Sequence, residues 1–438
     1  MAAVDEQRPI RLVVRDDLRR SRLTVFFRLL LAVPVLLWLT LRGIAAFLVA
    51  FALWLAILID AKAPSSLHDF VASYLRYATQ VSAYVFLAAD PYPWFRSQPD
   101  YPVDLEIDPP VRQSRWTGFF RLLLAIPALL LAAALGGGLS TGSPGSGSAG
   151  WSSEGEEWAF LYGFSSTGGA AAAAAFLAWF AILVRGRAPR GLRDLTAFAL
   201  GYAAQAGAYL LLLAPRYPTS DPALAEPYSD LPEHPVRIAV DDELERSRIT
   251  VLFRLFLALP HLVWLVLWTF AAFFAALAAW LSALVVGRVP DPLSRFLTAF
   301  VRYGTHVYAY LHLVGRRFPG FTGRAGSYGI DLEVDRAGRQ SRWRILFRLF
   351  LALPAFIVSG ALGGVLLVVG ILGWWYALVR GRMPEGLRNL GASCLRYSGQ
   401  TSAYVLLCTD RYPYAAPVLG SRPEPEPEPA FAVPGDTF

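Results

Sequence analysis

The chain has 438 residues, of which 55% are hydrophobic, 14% aromatic and 17% charged, against about 25% charged in ordinary globular domains. With two cysteines it is no disulfide scaffold, and so apolar a chain is no disordered polymer. The net charge of +7 rests on arginine, because Lys62 is the only lysine; it points to anionic lipid head groups rather than nucleic acid, for which there is no basic run or aromatic–basic module.

In chain order, the same elements appear four times. Residues 1–95 open with a short stretch carrying Arg11 and Arg15, followed by Asp16-Asp17, Arg20-Ser21-Arg22, Phe27-Arg28-Leu29 and Pro34. A long apolar stretch ends at Lys62-Ala63-Pro64, and a third segment carries Tyr77, Gln80 and Tyr84, whose spacing puts them on one helix face. Residues 96–218 repeat the order: Val103, Leu105 and Ile107 alternate with Asp104, Glu106 and Asp108, which is strand periodicity. Then come Gln113-Ser114-Arg115-Trp116, Phe120-Arg121-Leu122, Pro127, a Gly/Ser-rich insert at 136–169, Arg187-Ala188-Pro189, and Tyr202, Gln205 and Tyr209. A Pro/Asp/Ser/Glu-rich linker at 219–234 leads to residues 235–320, with Asp241-Asp242, Arg246-Ser247-Arg248, Phe253-Arg254-Leu255, Pro260, and Tyr303, His306 and Tyr310. Residues 321–415 carry Gln340-Ser341-Arg342-Trp343, Phe347-Arg348-Leu349, Pro354, and Tyr397, Gln400 and Tyr404. The Pro-Glu tail at 416–438 has no core-forming content and is predicted disordered.

In every copy the second arginine lies six residues after the first and the proline twelve. Copies 1 and 3 share the Asp-Asp and Arg-Ser-Arg forms, copies 2 and 4 the Gln-Ser-Arg-Trp form, so a two-copy unit was itself duplicated. Tyr-Pro-Val, an acidic–apolar strand, Ser-Arg, Phe-Arg-Leu and proline together resemble a bacterial membrane family known as domain of unknown function 4389, in four tandem copies. Copy 4 departs with Gly329 in place of the proline, and copy 2 with its insert. The resemblance implies a membrane location and this repeat fold, and carries no activity.

Between Arg248 and Arg288 the only formal charge is Arg254. One helix over that stretch would run about 58 Å, twice the ~30 Å hydrocarbon core. The expectation is therefore a transmembrane hairpin in each repeat, with turns near Arg42-Gly43, in the insert, at Trp268-Thr269 and at Gly360 to Gly364. The fold class is thus a mainly α, polytopic membrane protein, each repeat adding a short cytoplasmic strand and an amphipathic third helix lying in the interface. Those turns hold one arginine, Arg42, so the positive-inside rule places both termini in the cytoplasm of a bacterial inner membrane. Arg11 and Arg15 facing Asp104, Glu106 and Asp108 predict that the strands of copies 1 and 2 pair, and Arg237 against Asp331 or Glu333 predicts the same for copies 3 and 4.

Little in the chain suggests catalysis. Gly145, Gly147 and Gly150 spell a G-x-G-x-x-G, but in low-complexity sequence without a flanking strand or helix. His261, His306 and His312 have no metal-ligand spacing, and no metal or cofactor is expected. Cys394 and Cys408 would lie about 21 Å apart on one helix, too far for a disulfide. The serine of each Ser-Arg pair is expected to cap a helix. The eight arginines Arg22, Arg28, Arg115, Arg121, Arg248, Arg254, Arg342 and Arg348 are the candidate lipid-phosphate ligands, and the Tyr/Gln/Tyr faces are packing or ligand surfaces. The reading is a non-enzymatic membrane scaffold or lipid-associated protein whose partners are anionic lipids and, through its cytoplasmic face or tail, a protein. The alternative is a channel enclosed by the four repeats.

Overall fold

The computed structural model describes residues 9–136, 169–224, 234–335 and 338–419. Repeat 1 comprises β1 (Ile10–Val14), α1 (Arg22–Phe26), α2 (Arg28–Asp60) and α3 (Ser65–Val85). Repeat 2 comprises β2 (Val103–Ile107), α4 (Arg115–Phe119), α5 (Arg121–Gly136), α6 (Ala170–Arg185) and α7 (Arg190–Leu210). Repeat 3 has β3 (Val236–Val240), α8 (Arg248–Leu252), α9 (Arg254–Val286) and α10 (Asp291–Leu311). Repeat 4 has β4 (Ile330–Val334), α11 (Arg342–Leu346), α12 (Arg348–Arg380) and α13 (Glu385–Val405). Ser21, Ser114, Ser247 and Ser341 each start the short leading helix from extended backbone, yet their hydroxyls make no capping hydrogen bond. The expected side-chain cap is absent; the serine carbonyls accept the first helical bonds instead, as Ser21 O does from Val25 N–H at 3.0 Å. Each long helix ends on a left-handed residue, Ala61, Gly186, Gly287 or Gly381.

The hairpin expectation is overturned. In repeats 1, 3 and 4 the apolar stretch is one unbroken 33-residue helix, about 50 Å long. The expected turns at Arg42-Gly43, Trp268-Thr269 and Gly360 to Gly364 are helical, because nothing polar or strained there forces a turn. Repeat 2 is the same helix cut in two. Counting from Arg121 and Arg348, Gly136 takes the place of Gly363; counting back from Arg185 and Arg380, Gly169 takes that of Gly364. Burial keeps register across the cut: Leu135 and Ala170 are fully buried, as Leu362 and Val365 are nearly so in α12. The insert thus interrupts a helix between adjacent positions rather than lengthening a turn. Its residues 137–168, with the G-x-G-x-x-G, lie outside the described residues, as do 225–233 of the linker and 420–438 of the tail. The described part of the linker is docked: Asn389 donates to Asp221 Oδ1 at 3.0 Å.

Repeats pair. β1 runs antiparallel to β2 with Arg11 opposite Glu106, and β3 to β4 with Arg237 opposite Glu333, as the charge pattern predicts. The ion pairs form at 3.2 and 3.6 Å. The result is two separate two-stranded sheets rather than one of four strands. Within a pair the long helices run in opposite directions, and the end of each is held by the start of the other. Trp54 Nε1 donates to Gly118 O and Trp179 Nε1 to Val25 O; Trp280 to Ile345 O and Trp374 to Val251 O. The third helices α3, α7, α10 and α13 lie antiparallel along their long helices and carry a sheet on their other side, with Leu12 against Gly201 and Leu332 against Gly399. They are not exposed amphipathic helices, as the polar spacing suggested: most of α7 and α13 is buried, because strands and long helices cover both faces. α12 packs along α5 and α6, so the repeats touch in the order 1–2–4–3.

The second arginine closes the end of each third helix. Beyond the helix, a leucine (Leu87, Leu212, Leu313 or Leu407) takes a left-handed φ of 62–63°. Its buried side chain offsets the strain, roughly 1–2 kcal/mol. Arg28 lies over the Tyr84 ring, 4.3 Å from its centre, and donates to Tyr84 O and Ala89 O at 2.8 Å and to Asp90 Oδ1 at 2.7 Å. Arg348 does the same over Tyr404, reaching Thr409 O at 2.9 Å, Gln340 Oε1 at 2.8 Å and Asp410 Oδ1 at 2.9 Å. Arg121 over Tyr209 reaches Ala214 O and Gln113, and Arg254 over Tyr310 reaches Tyr310 O and Gly315 O. The carbonyl of the left-handed leucine is served from one residue before the Ser-Arg pair. Arg20 and Arg246, each held by an aspartate four residues earlier, do so in copies 1 and 3; Gln113 and Gln340 do so in copies 2 and 4. That is the physical content of the two sequence forms.

Two measurements check this account. Arg348→Leu strands buried carbonyls and should cost about 3 kcal/mol in denaturant unfolding of the detergent-solubilised protein; lysine should recover only part, since a point charge cannot bridge the same acceptors. Ala61 is the one long-helix terminus where a side chain takes the left-handed conformation, φ 55°. Ala61→Gly should therefore raise stability by about 1 kcal/mol.

Candidate functional site: an apolar face with arginine corners

Along each long helix the residues turned away from the third helix are apolar and bare. In α2, Leu30, Leu37, Leu41, Leu48, Phe51 and Ile59 are each exposed by 56% or more, while Val35, Ala46, Leu53 and Ile57 one helix face away are buried. α2, α9 and α12 are each long and apolar enough to cross a membrane by length and composition. A continuous bare apolar face of this extent marks a surface that meets lipid or another protein.

Four corners bound this face. At three of them the first arginine of one repeat meets the last turn of its partner's long helix: Arg22 donates to Val184 O at 3.0 Å, Arg248 to Val379 O at 3.0 Å, Arg342 to Val285 O at 2.9 Å. At the fourth, Gln113 N–H, two residues before Arg115, donates to Ala61 O at 2.9 Å. A cation at a helix C-terminus answers the negative end of the dipole. These arginines and Arg115 are exposed, as are Arg185, Arg187, Arg288, Arg380, Arg382 and Lys62 on the turns they meet. The residue after each first arginine is a bare apolar one: Leu23, Trp116, Ile249 and Trp343 are 70–76% exposed. Arginine beside tryptophan or leucine at the edge of an apolar face is the composition of a lipid head-group boundary.

The eight candidate arginines thus divide. Arg22, Arg115, Arg248 and Arg342 stand at the corners. Arg28, Arg121, Arg254 and Arg348 are 1–2% exposed with their donors on protein carbonyls, so their assignment to lipid phosphate is corrected: the third-helix ends are nearer acceptors than any head group. The Tyr/Gln/Tyr faces are buried packing. Tyr84, Tyr209, Tyr310 and Tyr404 sit under the second arginines, and Tyr77, Tyr202, Tyr303 and Tyr397 are in the core, Tyr303 accepting or donating at 2.8 Å with His261 Nδ1. The central polar residue holds a neighbouring strand or loop. Gln80 donates to Gln98 O and Asp104, Gln400 to Val236 O, and Gln205 accepts from Thr219 N–H. His306 Nε2 meets Asp331 at 2.7 Å. Sequence reading missed the tryptophans that lock partner helices, for which the fixed spacing from the closing turn was the available signal. It set Asp104 and Asp331 against strand arginines, whereas they turn inward to Arg76 and to His306 and Arg302 of the third helices.

Asp331 lines an open cleft of about 570 Å³ on the sheet side, with Arg302, Arg316, Arg317 and Glu243. Burial works against its charge, but hydrogen bonds from His306 and Gly326 N–H and the nearby charges of His306 and Arg302 outweigh that and hold it below the usual carboxylate range. Among the described residues no group of histidines, cysteines and carboxylates could hold a metal. Cys394 and Cys408 are buried free thiols.

No curated protein and no solved structure matches the chain. A family profile, Domain of unknown function (DUF4389), matches four times, over residues 22–97, 158–220, 248–322 and 342–416. The second match begins inside the insert, where the cut helix loses the pattern's continuity. With well over half its length matched, in the repeats that the structure builds as strand, long helix and third helix, the chain belongs to the DUF4389 family.

Proposed function

We propose that this protein is a non-catalytic membrane scaffold that gathers anionic phospholipid at its four corners. The observation that carries the reading is the recurrence, in every repeat, of an exposed arginine followed by an exposed apolar residue at the edge of the apolar face. Guanidinium suits phosphate through its planar fork, and each basic residue near an anionic surface contributes about 1 kcal/mol. The arginine-rich side faces the cytoplasm of the bacterial inner membrane, with both termini, since the basic turns and corners share that side. The sheet face and tail are where a protein partner would dock. Contact in the order 1–2–4–3 favours a scaffold over a pore, because an open row encloses no path.

Replacing Arg22, Arg115, Arg248 and Arg342 together by glutamine should strip anionic lipid from the purified protein and weaken its retention on vesicles containing phosphatidylglycerol by up to about 4 kcal/mol at low salt. The fold should survive. Unchanged lipid content in the folded quadruple variant would remove the lipid-gathering role.

A further inference from the structure

How the apolar face meets lipid follows from the layering. Each third helix lies along its long helix, and each sheet rests on the far side of the third helices, over their middle: Arg76 and Arg302, each near the midpoint of its helix, α3 or α10, reach Asp104 and Asp331 of the strands. The order is therefore sheet, third helices, long helices. Across the junction of the two pairs, long helix packs on long helix, α12 on α5 and α6, and the first turn of one third helix meets the segment that follows the other, Gly191 against Tyr414 and Ala415, Gly386 against Ser220 and Asp221. Both layers continue, and both sheets lie on the same side.

If the long helices stood upright in a bilayer, three features would conflict with it. The sheets would be held at mid-depth in hydrocarbon, with the Arg11–Glu106 and Arg237–Glu333 pairs, each side chain 42–52% exposed, and the charged cleft at Asp331 beside them. The antiparallel partners would send Arg22 and Arg115 to opposite membrane surfaces, against the positive-inside bias. And a helix of about 50 Å would overshoot a ~30 Å core, although its bare apolar stripe runs evenly from Leu30 to Ile59 with no polar band at either end.

We propose that the protein embeds in a single leaflet of an anionic phospholipid bilayer, its long helices parallel to the membrane plane. Resting on the membrane reading above, this specifies its geometry. The long helices face acyl chains, the third helices form a layer insulated from lipid, and the sheets with the Asp331 cleft are in water. All four corner arginines then lie at the phosphate level of one leaflet. Antiparallel partners and one-sided charge are compatible only when the axis relating them is the membrane normal.

The test uses the full chain in phosphatidylcholine–phosphatidylglycerol vesicles, with a fluorophore at Leu30→Cys, Leu41→Cys, Phe51→Cys or Ile59→Cys; the native cysteines are buried. Quenching by lipids brominated at graded acyl depths should place all four labels at one depth within one leaflet. In native membranes, Ser21→Cys and Asp60→Cys, near opposite ends of α2, should both react with an impermeant maleimide from the same surface. Depths that pass through a maximum at mid-helix, or reaction from opposite surfaces, would overturn the flat arrangement while leaving the membrane reading intact. Quenching of every label by an aqueous quencher would overturn both.

Discussion

One guanidinium per repeat holds this fold together. A helix end leaves carbonyls without partners, and each third helix ends deep inside the protein, where water cannot supply them. The second arginine, carried on the long helix, brings several donors and a delocalised charge to that end and rests on a tyrosine ring one turn back. It fixes the separation of the two helices, and it lets a leucine adopt a left-handed backbone so that its side chain fills the core. Burying four arginines is costly, which is why every one is surrounded by carbonyls, an amide or a carboxylate.

The two sequence forms are two solutions to one local problem. Arginine braced by aspartate, or glutamine alone, serves the same leucine carbonyl. Because the forms alternate, each pair contains one of each, and reciprocal contacts between unlike halves make the pair the structural unit. The lone glycine-free terminus at Ala61 falls in repeat 1, where the partner segment still binds its carbonyl through Gln113 N–H at 2.9 Å.

Much of this was legible in the residues. The four repeats and the strand pairing follow from spacing and charge, because opposite charges act over a few residues. The register does not, since the same arginines could face any of several acids and the ladder selects Glu106 and Glu333. The hairpin inference failed for a specific reason: it took membrane thickness as the limit on helix length, whereas the apolar stretch is one continuous 33-residue helix in repeats 1, 3 and 4. The insert's polarity was rightly read as a break, but a break in a helix looks like a lengthened turn until the burial of Leu135 and Ala170 is set beside that of Leu362 and Val365. The roles of the two arginines could not be separated by sequence, since both recur with identical spacing. Only the position of the third-helix end decides which one is buried.

The reciprocal clasp between partners also constrains how the chain is made. Trp54 binds Gly118, which follows it, but Val25 waits for Trp179, and β1 waits for β2. A ribosome releasing repeat 1 therefore delivers a long apolar helix whose leading turn, strand and terminal carbonyl have no partner until repeat 2 emerges. The smallest piece that can complete its own contacts is two repeats, and such long-range closure is slow compared with local helix formation. Duplication of the two-repeat unit, rather than addition of single repeats, is the growth step this topology permits.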